Sequence, residues 1–276
     1  MSVTTRIQQW LKLALLDSAR GNKRGRRHRG HGASVESLES RTLLTAYSVT
    51  NLNDEGAGSL RDAISQANAN SGADEIAFAT SGTITLTSGQ MAITDSLTIT
   101  GNGAAATIVD GNLNSRIFDI TDTAGNVTLA GMTLTRAMTT AVGRFGQGGA
   151  IRSASYGSLN INQCTVSGCS TTGLSACGGA ISLTHGAITI NQSTITGNST
   201  KYTDVDGTAY GGAIYSGGGG GAVTLRESAL TNNSTHSSSA KGGAVFTSSG
   251  GADVTITDST VIGNFTTGST SNGGAV

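Results

Sequence analysis

The sequence has no proline, only 4% aromatic residues and only 12% charged residues, whereas 41 of its 276 residues are glycine. So few aromatic side chains together with so much glycine argue against one large globular core. The hydrophobic share of 36% consists mostly of Ala, Val, Ile and Leu, spread evenly along the chain. This distribution suits many thin layers better than one thick core.

Cysteine and long apolar runs are also scarce. The three cysteines, Cys164, Cys169 and Cys177, are odd in number and form no CxxC pair. They therefore favour neither a disulfide framework nor a zinc site. We interpret Cys164 and Cys169 as small buried residues, with a Cys169–Cys177 bridge across one turn as the alternative. The chain has no apolar run of about 18 residues, so no transmembrane segment is predicted.

The net charge of zero hides an uneven distribution. Residues 1–46 carry nine Lys/Arg and three Asp/Glu, which gives +6, and the remainder carries eight and fourteen, which gives −6. A basic leader before an acidic body indicates a separate N-terminal segment. The run "RGNKRGRRHRGHG" in this segment could bind nucleic acid or membrane phosphates. No nucleic-acid-binding module accompanies the run, so we predict an export leader and no nucleic-acid partner.

One short motif recurs in the second half of the chain. GGA followed by Ile or Val begins at Gly148, Gly178, Gly211, Gly242 and Gly273. A longer pattern follows, as in "ITINQSTITGN" and "VTLRESALTNN", in which apolar residues alternate before a closing Asn. Alternation of this kind is typical of strands with one buried face. Three short strands and three turns in every repeat of about 31 residues describe one coil of a parallel β-helix.

Stacking such coils brings equivalent residues into columns. We expect two inward apolar columns, Val127, Leu159, Ile188, Val223, Val254 and Leu129, Ile161, Ile190, Leu225, Ile256. Asn198, Asn233 and Asn264 form another column, in which stacked side-chain amides can hydrogen-bond along the axis. Cys164 falls in a small inward column with Ser193, Ser228 and Ser259, and Cys169 takes an Asn position. The glycines of the motif supply a conformation or a close approach that a Cβ would block.

The region before the repeats has a different pattern. We expect a strand from Tyr47 to Leu52, then a helix that Ser59 caps. Within that helix, Leu60, Ala63, Ile64 and Ala67 share one face. Such a strand and helix can cover the apolar end of a solenoid. The predicted organisation is a basic export or sorting segment at 1–46, a cap at 47–80 and repeats at 81–276.

The predicted fold class is therefore all-β, a right-handed parallel β-helix with a short strand and helix cap and a disordered basic leader. The first coil is expected to open at Leu97. At the other end, "GGAV" (residues 273–276) begins a new strand, which would leave an open sheet edge. We therefore expect the chain to be the first part of a longer gene product, or a truncated gene model.

The repeats resemble known bacterial families. The pairing of "GGAI" with "STITGN" and "STVIGNF" resembles polymorphic outer-membrane protein repeats over residues 148–276. The Phe of those repeats is replaced by Val166, Ile195, Leu230 and Val261. "VTNLNDEGAGSLRDAISQAN" resembles the CSLREA-type cap of secreted bacterial proteins. "LESRTLLTA" resembles the LEPR-type N-terminal segment of planctomycete exported proteins, with Ser40 in place of Pro. These resemblances imply a protein that is secreted or located at the outer membrane or cell surface.

The outward positions offer little acid–base chemistry. They are mostly threonines, which have good β propensity and do not titrate near neutral pH. Glu227 and Asp258 lie one coil apart in one column, and we interpret them as solvated turn residues, with a shared proton or cation as the alternative. Asp204 and Asp206 in "DVDG" resemble a fragment of a calcium loop that lacks the later Glu ligand. We predict no catalytic residue, no cofactor and no metal site, with calcium at this polar loop as the weak alternative.

Tyr215 and Phe246 are the candidate surface ligand contacts. Each directly follows a GGA motif and its Ile or Val, as Arg152 does, so all three are expected to point outward. An exposed aromatic pair on successive coils can stack on a sugar ring or on a partner protein. Simple cover of the sheet surface is the alternative interpretation.

Three functions are consistent with these features. The first is an exported, non-enzymatic adhesin or structural stalk that binds an extracellular polysaccharide or surface protein by avidity. The second is a polysaccharide-active enzyme, a lyase or glycosidase, whose catalytic coils lie after Val276 or in the loop around Asp204. Glycosidase chemistry needs paired carboxylates, and no charged cluster is evident along the outward columns. An autotransporter passenger is the third option.

Overall fold

Apolar residues alternating with hydroxyl residues fold as short strands throughout the protein. The computed structural model describes residues 44–141, 147–174, 176–202, 207–219, 221–248 and 252–276. Within these ranges the chain forms one helix, α1 (Leu60–Ala69), and 26 strands. Every strand pair among them is parallel, so the prediction of a parallel β-helix is confirmed.

The strands form four sheets, numbered here in the order in which the chain visits them within one coil. Sheet 1 contains β1 (Thr45–Val49), β2 (Asp74–Phe78), β5 (Leu97–Thr100), β8 (Val127–Ala130), β12 (Leu159–Asn162), β16 (Ile188–Asn191), β20 (Val223–Arg226) and β24 (Val254–Thr257). Sheet 2 contains β3 (Gly82–Thr85), β6 (Thr107–Asp110), β9 (Thr133–Thr135), β13 (Thr165–Ser167), β17 (Thr194–Thr196), β21 (Ala229–Thr231) and β25 (Thr260–Ile262). Sheet 3 contains β10 (Met138–Ala141), β14 (Ser170–Gly173), β18 (Ser199–Lys201), β22 (Ser234–His236) and β26 (Phe265–Thr267). Sheet 4 contains β4 (Met91–Ile93), β7 (Phe118–Ile120), β11 (Ile151–Ser153), β15 (Ile181–Leu183), β19 (Ile214–Ser216) and β23 (Val245–Thr247).

The prediction of three strands per coil is wrong, because sheet 3 adds a fourth strand to each coil from β10 onward. The inward residues of this sheet are threonines, and Thr171, Thr200 and Thr235 are fully buried. Thr171 and Thr235 donate hydrogen bonds to the carbonyls of Gly178 and Gly242, at 3.0 and 2.8 Å. Because these inward positions are polar, the segments lack the apolar alternation by which strands are recognised. The hydroxyls satisfy buried carbonyls of the following glycine corner instead.

The core consists of columns of like residues. Register pairing places Leu159, Ile188 and Val223 on successive rungs, and all three are buried, as the repeat pattern predicts. Val166, Ile195 and Leu230 make an equivalent buried column in sheet 2. Burial decreases at the last described coil, where Val254 is half-buried and Ile256 is 42% exposed. Each inward side chain thus packs mainly against its equivalents one rung away.

Two polar ladders run between coils. In the first, the backbone N–H of Cys164 donates to Ser193 Oγ at 3.0 Å, and that of Ser193 donates to Ser228 Oγ at 3.1 Å. In the second, the predicted asparagine column, Asn198 and Asn233 are fully buried. Cys169 takes the equivalent position one coil earlier, and its N–H donates to Asn198 Oδ1 at 2.9 Å. The predicted positions of both cysteines and of the asparagines are confirmed.

The three cysteines are buried free thiols. Burial raises the pKa of Cys164 to about 11 and the pKa values of Cys169 and Cys177 to about 12. The thiolate is the reactive form of cysteine, so thiols in this state are chemically inert near neutral pH. The structure therefore contains them as small core residues, without the alternative bridge between Cys169 and Cys177.

The two glycines of each GGA motif have different tasks. Gly178 adopts φ 63°, in the left-handed region that L side chains rarely enter. At Gly179 a Cβ would instead collide with the carbonyl oxygen of Gly212 on the next coil and with the backbone of Ser199. Both predicted reasons for glycine therefore apply: conformation and close approach at Gly178, where a Cβ would also collide with the carbonyl of Ile181, and close approach alone at Gly179.

The N-terminal region folds as a strand and a helix joined directly to the solenoid. Ser59 Oγ accepts a hydrogen bond from the N–H of Asp62 at 3.1 Å and caps α1. The predicted apolar face of that helix, Leu60, Ala63, Ile64 and Ala67, is buried. Arg61 and Asp54 form an ion pair at 2.7 Å that fixes the connection between β1 and α1. The helix packs against β1, β2 and β4.

The coils begin earlier in the chain than Leu97, where the first one was expected. Strand β2 pairs with both β1 and β5, so the second strand of the cap is already a rung of sheet 1. The mixed pattern "DEIAF" conceals this strand because its first inward residue is the buried Asp74. Asp74 Oδ1 accepts hydrogen bonds from the Thr45 N–H at 3.2 Å and from Asn70 Nδ2 at 2.9 Å. Its carboxylate thus replaces an apolar residue at the end of the core.

Among the described residues, no helix has the length and apolar character needed to cross a membrane. The basic leader was predicted at residues 1–46, and residues 1–43 of it lie outside the described residues.

Candidate ligand-binding face

The outer face of sheet 4 carries the most varied side chains of the solenoid. The middle residue of each strand lies on the side away from the core, and register pairing aligns Ala92, Asp119, Arg152, Ser182, Tyr215 and Phe246, of which Ser182 is fully buried. Neighbouring rungs of a sheet lie about 4.8 Å apart. The column therefore has an ionic part at Asp119 and Arg152 and an aromatic part at Tyr215 and Phe246.

Three rings, those of Tyr210, Tyr215 and Phe246, form what we call the aromatic patch. The Tyr215 and Phe246 rings are nearly parallel, at an interplanar angle of 12° and a centroid distance of 6.1 Å. Tyr210 lies 4.7 Å from Phe246 and 6.0 Å from Tyr215. All three are half-buried, so part of each ring faces solvent. The predicted outward position and adjacency of Tyr215 and Phe246 are confirmed, whereas their contact with a ligand stays a prediction.

Tyr210, a member of this patch, and Lys241, which lies beside it, were not predicted as site residues. They occupy the position directly before the GGA motif, where isolated parallel bridges connect Cys177, Tyr210 and Lys241 on successive coils. The Lys241 Nζ lies 5.9 Å from the centroid of the Tyr210 ring, within the range of a cation–π contact. The sequence did contain a signal for this contact, because Tyr210 stands directly before one GGA motif and Lys241 directly before the next.

Asp119 holds two arginines in the ionic part of the column. Arg152 Nη1 lies 2.9 Å from Asp119 Oδ1, and Arg116 Nη1 lies 3.5 Å from the same oxygen. Arg116 is buried and also donates to the carbonyls of Gly148 and Gln147, at 2.9 and 2.7 Å. Burial lowers the pKa of Arg116, Asp119 opposes this shift and Arg152 adds to it. Arg116 is thus a structural anchor, while Arg152 is the more exposed partner.

A cleft of about 360 Å³ adjoins Arg152 at the turns that follow β7, β11 and β15. Its lining residues are Thr121, Asp122, Arg152, Ala154, Tyr156, Thr184 and His185. Tyr156 is 72% exposed and stacks on His185 with ring centroids 4.2 Å apart and an interplanar angle of 27°. Neither Tyr156 nor His185 was predicted as a site residue. The structure brings the two together because each lies three residues before the sheet 1 strand of its coil.

The acidic candidates that lie among the described residues show no metal-binding geometry. Glu227 and Asp258 occupy equivalent turn positions on successive coils, with φ 47° and 49°, and both are exposed. Glu227 Oε2 accepts a hydrogen bond from Gln192 Nε2 at 2.9 Å, which agrees with a solvated turn residue. Within the described ranges, no three His, Cys, Asp or Glu side chains come together as a metal site. Asp204 and Asp206 lie outside the described residues, so calcium binding there stays a prediction.

The chain matches no protein-family model, and comparison with curated proteins gives no similar sequence. The resemblances to polymorphic outer-membrane repeats, to the CSLREA-type cap and to the LEPR-type leader therefore stay predictions.

Proposed function

We propose that the protein is an exported, non-catalytic β-helix that acts at the cell surface or outer membrane as an adhesin or structural stalk. The aromatic patch is the observation that supports this function most directly. Its three rings lie close together, and each is only half-buried, so aromatic surface remains exposed to solvent. Exposed aromatic surface of this kind can stack on sugar rings or on partner proteins. An extracellular polysaccharide is the partner that we favour, because it repeats along its length as the solenoid does.

The hydroxyl columns supply the second part of the mechanism. Sheet 1 carries outward Thr128, Asn160, Thr189, Thr224 and Thr255, paired rung by rung. Sheet 2 carries outward Thr133, Thr165, Thr194, Ala229 and Thr260 in the same way. Each group makes only a weak hydrogen bond in water, but several on a fixed spacing add up when the partner is also repetitive.

Binding is tested by isothermal titration of the purified chain against soluble polysaccharides, together with co-sedimentation on insoluble ones. The double variant Tyr215→Ala/Phe246→Ala is expected to bind at least about tenfold more weakly, because each stacked ring contributes on the order of 1 kcal/mol. The matched control is Asn191→Ala, a half-exposed position on sheet 1 that lies in the same coil as Tyr215 and outside the outward hydroxyl columns. Equal affinity of the double variant and the wild type would contradict the role of the patch.

Location and the absence of catalysis need separate experiments. Protease treatment of intact cells that express the tagged chain should remove the tag if the protein is exported to the surface. Incubation with pectin, alginate and related polymers is expected to release neither reducing nor unsaturated ends. Release of either would favour the alternative, a polysaccharide lyase or glycosidase.

A further inference from the structure

We infer that the cleft between Tyr156, His185, Arg152 and Asp122 is a separate binding subsite for a single pyranose ring of a saccharide. It shares no residue with the aromatic patch, and its occupancy depends neither on that patch nor on an adhesive role. Tyr156 provides the platform for the sugar ring, and the charged side chains at the edge of the cleft bind its hydroxyl groups.

The platform exists because the coils differ at one column. The position three residues before the sheet 1 strand is Ala124, Tyr156 and His185 on three successive coils. His185 therefore covers one face of the Tyr156 ring, at a centroid distance of 4.2 Å. On the preceding coil the equivalent residue is the small, buried Ala124, and no ring among the described residues stacks on the other face of Tyr156. This absence of cover explains why a large aromatic side chain is 72% exposed beside a cleft.

The edge of the cleft carries one cation and one anion. Arg152 uses Nη1 to bind Asp119 at 2.9 Å, which fixes the guanidinium and leaves further N–H donors for a ligand. Asp122 is exposed, and both of its carboxylate oxygens can accept hydrogen bonds from a ligand. His185 Nδ1 is buried without a hydrogen-bond partner among the described residues. Planar groups with paired donors and paired acceptors suit the neighbouring hydroxyls of a sugar.

Size and charge favour a saccharide over other ligands. A cleft of about 360 Å³ is at the small end of ligand sites and has room for one ring rather than for a peptide segment. Arg116 and Arg152 together balance Asp119 and Asp122, so the edge suits a polyhydroxylated ligand better than a highly charged one. A neutral hexose and a uronic acid share the pyranose ring, and the carboxylate of the uronic acid would reach Arg152.

Saturation-transfer NMR and titration of the full chain test the subsite, with cellotriose as the neutral probe and trigalacturonate as the uronate probe. A single-ring subsite should give a Kd on the order of 1 mM. Tyr156→Ala is expected to weaken binding at least about tenfold, whereas Tyr156→Phe, which keeps the ring, should bind as the wild type does. If the subsite prefers the uronate, Arg152→Gln should weaken the binding of trigalacturonate and leave that of cellotriose unchanged. Preference for either probe supports the inference.

Two results would overturn the inference: failure of both probes to bind, or equal affinity of Tyr156→Ala and the wild type. Tyr156 is largely exposed, so its substitution should not affect folding, and a thermal melt of the variant verifies this. The double variant Tyr215→Ala/Phe246→Ala separates the two sites, because it should leave probe binding in the cleft unchanged. Loss of binding in that variant alone would assign the saccharide to the aromatic patch and leave the proposed function intact.

Discussion

Asn198 Nδ2 donates a hydrogen bond to Asn233 Oδ1, 3.0 Å away on the next coil. The same amide also donates to the carbonyl of Val166 on the preceding coil at 3.0 Å, and its oxygen accepts from the N–H of Cys169 at 2.9 Å. One buried side chain thus connects three coils. Asn233 repeats the arrangement with Ile195 and Asn264, which makes the column a continuous chain of hydrogen bonds.

Asn198→Ala is expected to destabilise the protein by about 2–4 kcal/mol, because buried groups that lose their partners cost about 1–3 kcal/mol each. The Cys169 N–H and the Val166 carbonyl would both lose a partner. The measurement is the shift of the urea unfolding midpoint. The half-exposed Asn191 lies on the same coil and provides the matched control, Asn191→Ala, which should stay within about 0.5 kcal/mol of the wild type. Equal losses in the two variants would contradict the importance of the ladder.

Three glycines separate the cost of conformation from the cost of close approach. Gly197 and Gly178 share φ 63°, but a Cβ at Gly197 would meet no atom within 4 Å. Gly197→Ala should therefore cost only the left-handed strain, about 1–2 kcal/mol. Gly179→Ala should cost about 3 kcal/mol or more, because its Cβ would displace the backbone of other strands. Gly178→Ala combines both effects and should be the most damaging; unfolding midpoints in the reverse order would refute this explanation.

The thiols should be unreactive in the folded protein. All three are buried, and burial raises the pKa of each to about 11 or 12, so almost no thiolate is present at pH 8. DTNB is expected to label none of them within minutes under native conditions. In guanidinium without reductant it should label all three. A single reactive thiol after unfolding would instead demonstrate a bridge between two of the cysteines.

His236 should make stability depend on pH below neutrality. Burial and the positive charge of Lys201 lower the pKa of His236, so the folded state favours the neutral ring. This contribution is fully present above the ordinary histidine pKa of about 6.5 and is lost as the pH falls through the lower, folded-state value. The thermal midpoint is expected to decrease between pH 7.5 and pH 5, and to decrease less in His236→Gln. An identical decrease in both proteins would assign the effect to other groups.

Much of the architecture could be predicted because this solenoid repeats its apolar alternation. Val223 and Leu225 mark a strand by spacing alone, and the recurrence of Asn198 and Asn233 at equivalent positions predicts a ladder. Leu60 and Ile64 identify the cap helix in the same way. These predictions succeeded because inward residues of like shape must stack on one another, which fixes their spacing in the sequence.

The features that sequence reasoning missed do not show as apolar alternation. Thr171 and Thr200 face the interior of sheet 3, and a buried hydroxyl in a short polar segment does not indicate a strand. Tyr156 and His185 lie in turns, where their adjacency is visible only after the coils are aligned on the following strand. Tyr210 stands before the motif rather than after it, so a search directed at one side of the glycines overlooked it.

The two polar ladders give the solenoid a direction of assembly. The backbone donors of Cys164 and Ser193 both find their acceptors on the coil that follows in the sequence. The amide of Asn198 likewise obtains its oxygen acceptor from Asn233, which the ribosome adds later. The coils that contain Cys164, Ser193 and Ser228 therefore leave translation before the side-chain acceptors of these backbone donors have been made. Folding should advance as an ordered front from the amino-terminal helix, so a chain that stalls during synthesis would carry its frayed edge at the newest coil.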